Sequence, residues 1–183
     1  MAQPKTDEKP YSTRVSQVSD LEAYVGKELG LTKWVTITQE KIDTFAQATE
    51  DFQWIHTDPR RAAQFSPYKT TVAHGFLVLS LASKFCYEAY HIEDAALGIN
   101  YGLDRVRFPK AVPVGARLRG RIALMEYQSL RKAARLKLKV TFEIEGERRP
   151  ACIAEFIAVV FTAPESQPAV TKASLGADHP QEP

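Results

Sequence analysis

The sequence predicts an α+β domain in which an antiparallel sheet wraps around one long helix at about residues 75–90. Two observations carry this. From Gly75 to about Tyr90, apolar side chains such as Phe76, Leu77, Val78, Leu81, Ala82, Phe85 and Ala89 fall on nearly every side of a helix, the pattern of a buried one. In the second half, apolar residues recur at every other position, the pattern of strands with one dry face. Leu118, Gly120, Ile122 and Leu124 alternate with arginines, and Leu136, Leu138, Val140, Phe142 and Ile144 alternate with polar residues. The stripes need a cover, and the helix supplies it.

Taken in order, residues 1–17 form an N-terminal extension expected to be flexible, 18–163 a single domain, and 164–183 a Pro- and Ser-containing tail with little to bury. Ser19, Asp20, Leu21 and Glu22 have the form of a capping box, predicting a short helix that ends at Gly26. A strand is expected at Lys33 to Thr38. Thr38 can cap a helix carrying Ile42, Phe45, Ala46 and Thr49 at helical spacing. Asp58 followed by Pro59 is a second start signal, opening a helix to about Phe65. After the long helix, strands are expected from Gly98 to Phe108 and from Ala151 to Thr162, with Pro109 to Gly115 as a turn.

Composition narrows the function. With 183 residues and 44% hydrophobic content, the chain can bury a core. It has no run of apolar residues long enough to span a bilayer, and its first residues lack a signal peptide's apolar segment, so the expected location is the cytoplasm, away from membrane. Cys86 and Cys152 lie in apolar runs without ligand spacing and suit reduced core positions. The net charge of +2 does not suggest nucleic acid, and no aromatic residues interleave to stack bases. Basic residues crowd the segment from Arg105 to Lys139, which reads either as the solvated face of a sheet or as a site for an anionic ligand.

The chemistry is concentrated earlier. Asp51 and His56, five residues apart, cannot share a face of a helix or a strand. They converge only if the chain bends between them, with Phe52, Trp54 and Ile55 anchoring the bend. Such a pair can hold one water between acid and base; alternatively Asp51 caps a turn and His56 is a core histidine. Two ligands make no metal site, and none is expected. Gly75, at the first turn of the buried helix, offers an unpaired N–H to a developing oxyanion, or else permits close packing. Ser80 and Ser83 either bond back to the helix or face a ligand.

Asp51, His56, Asp58, Pro59, and His74, Gly75 and Leu77 together resemble the hydratase motif of the MaoC-like family of R-specific enoyl-CoA hydratases and dehydratases. Gln53, Trp54 and Ile55 before His56, with the segment Asn100 to Pro109, resemble its nodulation-protein-N-like branch most. The resemblance implies a hot-dog fold, a homodimer or dimer of dimers, and reversible addition of water to a trans-2-enoyl thioester. By the same resemblance Asp51 takes the water's proton, His56 orients the water and helps protonate C2, and Gly75 N–H polarises the carbonyl. Ser83 assists, and Trp54, His74, Arg105, Arg107 and Lys110 meet the substrate. No cofactor is implied beyond the coenzyme A of an acyl-CoA or other acyl-thioester substrate. Glu50 stands where the family pattern usually has Gly, a second carboxylate beside Asp51. A non-catalytic acyl-thioester-binding module and a hot-dog thioesterase are the alternatives.

Overall fold

The structure, a computed structural model, describes residues 8–163; residues 1–7 of the extension and the tail from 164 lie outside the described residues. Eight strands and four α-helices follow one another: β1 Tyr11–Val15, β2 Glu28–Leu31, β3 Val35–Thr36, α1 Gln39–Thr49, α2 Trp54–Thr57, α3 Pro59–Phe65, α4 Gly75–Ala89, β4 Tyr90–Ile92, β5 Ala95–Arg107, β6 Arg117–Leu130, β7 Ala133–Ile144 and β8 Cys152–Thr162. The sheet runs β4, β1, β2, β6, β7, β8, β5, with β3 also on β6. Every pair is antiparallel except β1 with β4. The sheet curls around α4, a hot-dog fold.

The start signals behave as their chemistry requires. Thr38 caps α1 by accepting from Lys41 N–H at 3.3 Å, and Asp58 caps α3 by accepting from Arg61 N–H at 2.9 Å, with Pro59 at the first helical position. The stripes of β6 and β7 point inward: Leu118, Ile122, Leu124, Leu136, Leu138, Val140 and Phe142 are fully buried. Phe85 of α4 presses so close to β6 that a Cβ on Gly120 would stand 2.6 Å from it, and one on Gly30 would stand 2.2 Å from the Ala89 carbonyl oxygen. Only glycine at these two positions lets the helix lie on the sheet.

Four expectations need correction. Tyr11–Val15, assigned to a flexible extension, is a strand held between β2 and β4; its own pattern is mostly exposed, so the signal lies in its partners. The segment after Gln17 is a 3-10 turn, Val18–Tyr24, and it is Asp20 that accepts from Gln17 N–H, not the pair Ser19 and Glu22. The strand expected at Lys33 to Thr38 is short, and most of the pairing falls earlier, on β2. Finally, α4 is buried on one side only. Leu77, Val78, Ala82, Phe85 and Ala89 face the sheet, whereas Phe76 and Tyr87 are 70% and 55% exposed.

Part of the basic run is paired. On the outer face Arg121 meets Glu8, Glu28 and Glu143 at 2.7–2.9 Å. Arg119, though outward by alternation, is 1% exposed, because Trp34 lies 4.4 Å from its guanidinium and Glu143 and the Glu8 carbonyl accept its N–H groups. The solvated-face reading holds for the strand pattern, but here the N-terminal segment covers it. Cys86 and Cys152 are free and buried.

Candidate active site

The bend between Asp51 and His56 exists, and it is built from α1 outward. Helix α1 ends at Glu50 in the left-handed region, φ 59°, which turns the chain away. Asp51 to Gln53 are irregular, and α2 then makes one turn from Trp54, earlier than the sequence suggested. Gln39, the first residue of α1, fixes both halves of the site: its Nε2 donates to the His56 carbonyl at 2.8 Å and its Oε1 accepts from Thr71 Oγ1 at 2.6 Å. Val72 completes the clamp, donating its N–H to the Ile55 carbonyl at 3.1 Å.

His56 is 8% exposed, and its Nδ1 lies 2.6 Å from the Val72 carbonyl. A carbonyl only accepts, so Nδ1 carries the proton and Nε2 presents a lone pair. Burial pushes the imidazole below its ordinary value of 6.5, helped by His74 and opposed by the Val72 hydrogen bond and Asp51. At neutral pH His56 is therefore an uncharged acceptor.

His74 is 3% exposed. Its Nε2 donates to the Asp51 carbonyl at 2.9 Å and lies 4.0 Å from Asp51 Oδ2; its ring stacks on that of His56, centroids 3.8 Å apart, and leans on Phe45. Its Nδ1 is buried without a hydrogen-bond partner. His74, expected to meet substrate, packs between Phe45 and the His56 ring and ties the Asp51 backbone to them. The Asp51 side chain is 54% exposed, so the site joins an open carboxylate to a sheltered imidazole.

Asp51, His56 and His74 each offer an atom with all three within 4.8 Å. A shared ion would have to lie near both imidazole planes, and stacked rings keep those planes apart, so the donor set fits a metal poorly.

Gly75 opens α4, ahead of the intrahelical ladder, so its N–H is available. A Cβ there would press on the Phe108 ring at 3.3 Å, so the close-packing reading of this glycine holds. Glu50 is exposed. Phe52, expected to anchor the bend, is 58% exposed; the anchoring falls to half-buried Trp54 and Ile55, with the Arg61 guanidinium 4.8 Å from the Trp54 ring. Ser80 bonds back to the Leu77 carbonyl. Ser83, eight residues along α4 from Gly75 and so about 12 Å away at 1.5 Å per residue, accepts from Asn100 Nδ2 at 2.9 Å.

Arg105 and Arg107 are not brought to this site. Arg105 and Arg107 stand opposite Glu155 and Ile153 of β8, whose inward residues are Ala154 and Phe156, so both arginines lie on the outer face of the sheet. Lys110 pairs with Glu147 at 2.5 Å. Sequence reasoning missed the Val72 carbonyl, Gln39 and Asn100. A carbonyl leaves no trace in sequence, and nothing sets Gln39 apart from other helix-start glutamines.

Comparison with known proteins bears on the family and the fold. The family described as "MaoC like domain" matches residues 20–144. The chain is 46% identical over 141 residues to 3-hydroxyacyl-thioester dehydratase Z of Mycobacterium tuberculosis, covering 76% of this chain and 93% of that protein. It is 46% identical over 154 residues to nodulation protein N of Rhizobium leguminosarum bv. viciae, covering 82% and 95%. Among solved structures, a MaoC-like dehydratase from Rhodospirillum rubrum superimposes with a TM-score of 0.65 at 19% identity, covering 82% of this chain and 99% of that one.

Proposed function

The chain belongs to the MaoC-like dehydratase family, and from that premise we propose that it catalyses the reversible addition of water to a trans-2-enoyl thioester, giving an R-3-hydroxyacyl thioester. The observation that carries the reading is the Val72 hydrogen bond, which leaves His56 Nε2 as an uncharged acceptor a short bend away from the Asp51 carboxylate. One water donates a hydrogen to each. As its oxygen bonds to C3, the proton passes to His56 Nε2, a better base at neutral pH than an open carboxylate. The enolate charge that grows on the thioester oxygen is received by Gly75 N–H. The imidazolium then returns its proton to C2, and every atom of water is in the product.

This division differs from the one the family resemblance implied. His56 takes the proton, and Asp51 orients the water and stabilises the imidazolium. The thiol carrier is coenzyme A in this reading. No cofactor is needed, because conjugation with the carbonyl already makes C3 electrophilic.

The partner proposed is a second copy of the chain. Strand β5 is an edge of the sheet, and Leu97, Ile99 and Tyr101 on it are 55%, 42% and 66% exposed, the features of a strand completed by pairing. Among the described residues no helix is long and apolar enough to cross a membrane.

The test is hydration of crotonyl-CoA, followed as loss of enoyl thioester absorbance, with chiral analysis of the product. R-3-hydroxybutyryl-CoA is the expected outcome. Release of free thiol would favour a thioesterase, and binding without turnover of either short or long enoyl thioesters would leave only a binding module.

A further inference from the structure

Beyond Ser83 the groove between α4 and β5 opens into a cavity of about 360 Å³. Three juxtapositions show that helix and strand run side by side in opposite directions. Gly75 meets Phe108 just past the end of β5, Ser83 meets Asn100 in its middle, and Tyr90 shares the cavity with Ala95 at its start. Gly75, Leu79, Ser83 and Cys86 fall within about 80° of one side of α4 at 3.6 residues per turn. The cavity therefore lies on the same side of the helix as Gly75, farther along.

The hydrogen bond from Asn100 to Ser83 crosses the groove at the near end of this cavity. An acyl group with its carbonyl at Gly75 must cover about 12 Å to reach it; a four-carbon chain stops short. Past the crossing, Phe156, Ala158 and Val160 form the sheet wall; no Asp, Glu, Lys or Arg lines the space, and its one imidazole is that of His91. Burial pushes the Cys86 thiol up to about 12 and, with Cys86 and Tyr87 adding to it, lifts the Tyr90 phenol well above its ordinary value, so both stay neutral. Gly98, opposite Val160 on the inward face of β5, leaves the space open: a Cβ built there meets nothing within 4 Å.

Resting on the proposed hydration reaction, we propose that the substrate is an acyl thioester with a long, uncharged chain, whose passage into the cavity is set by Asn100 through its bond to Ser83, and whose end occupies the space Gly98 leaves. A single hydrogen bond between neutral side chains is weak enough to open for an entering chain, and the apolar wall rewards burying it.

The experiment compares kcat/KM for dodecenoyl-CoA and crotonyl-CoA on the full chain, with folding checked by circular dichroism. Wild type is expected to prefer dodecenoyl-CoA. Gly98→Leu is expected to lower the ratio at least about tenfold by filling the cavity, and Asn100→Ala to raise it about threefold by removing the crossing bond. Calorimetric binding of dodecanoyl-CoA and butyryl-CoA is measured on the same three proteins. If neither enoyl thioester is hydrated, the proposed reaction fails while the cavity is still decided by binding. Equal affinity for the two saturated thioesters, or a ratio and dodecanoyl-CoA affinity unmoved in folded Gly98→Leu and Asn100→Ala, overturns the inference.

Discussion

The bend around His56 and the outer face of the sheet around Arg121 are both dense in ionisable groups, and they are finished in opposite ways. On the sheet Arg121 has three carboxylates within 2.9 Å, and the hydrogen bonds it donates to Glu8 first, then Glu143 and Glu28, hold its guanidinium well above the ordinary range even against burial. At the bend, capacity is left over: a lone pair on His56 Nε2, a buried His74 Nδ1 without a partner and an exposed Asp51 carboxylate that accepts a long hydrogen bond from Gln53 N–H. Saturated charge holds structure, because nothing remains to bind a further molecule. Unsaturated polar groups kept in place by neighbours are what a reaction can use.

The comparison is broken most directly at its two poles. Asp51→Asn keeps the shape of the bend and removes its charge, so kcat/KM for enoyl-CoA hydration is expected to fall about 10²–10⁴-fold, while the denaturant midpoint, read by fluorescence, barely moves at this exposed position. Arg119→Ala reverses the pattern. It removes a buried guanidinium from Glu143 and Trp34, so chemical denaturation is expected to show a loss of about 3 kcal/mol, with turnover per folded molecule near wild type. Arg119→Met, which keeps the stem, separates lost packing from lost charge. Equal loss of activity in both variants would deny the division.

Acidification sharpens the comparison further. His56 is lowered by burial, so the unfolded chain binds its proton first: this contribution is whole above about 6.5 and is lost as pH falls through and below that value. Glu28 is likewise lowered, the hydrogen bonds from Tyr11 and Arg121 outweighing burial, and its contribution is lost only below about 4.5. Thermal unfolding against pH is expected to show two separate declines, and His56→Gln is expected to remove the earlier one. The acid limb of kcat/KM should correspondingly lie below 6.5. The smallest effect is at Glu50. Its left-handed backbone, φ 59°, costs about 1 kcal/mol in a residue with a Cβ, so Glu50→Gly is expected to raise the melting temperature slightly or leave it unchanged, with activity retained. A large loss of turnover would instead give the Glu50 carboxylate a part in the chemistry.

Much of the fold was legible because it rests on local rules. Thr38, Asp58 and Pro59 are caps whose partners lie three residues away, and the stripes of β6 and β7 follow from strand geometry alone. The misses share a cause: β1 has little apolar pattern of its own, and α2 is a single turn, so both exist through distant partners. In the site, the residue types of the motif named Asp51, His56 and Gly75. Their spacing required a bend without saying what held it.

By itself, the sequence determined which residues could be acid, base and oxyanion donor, and that a sheet must cover one helix, since periodicity and residue chemistry are properties of the chain. Only the tertiary structure decided which nitrogen of His56 is free, that His74 bonds to the Asp51 carbonyl, and that Arg105 and Arg107 face away from Gly75. Each of these depends on what stands across a gap: the Val72 carbonyl sixteen residues from His56, the Asp51 carbonyl twenty-three from His74, and the register of β5 on β8. Hydrogen bonds and pairing between segments remote in sequence are set by the folded packing, and no local pattern encodes them.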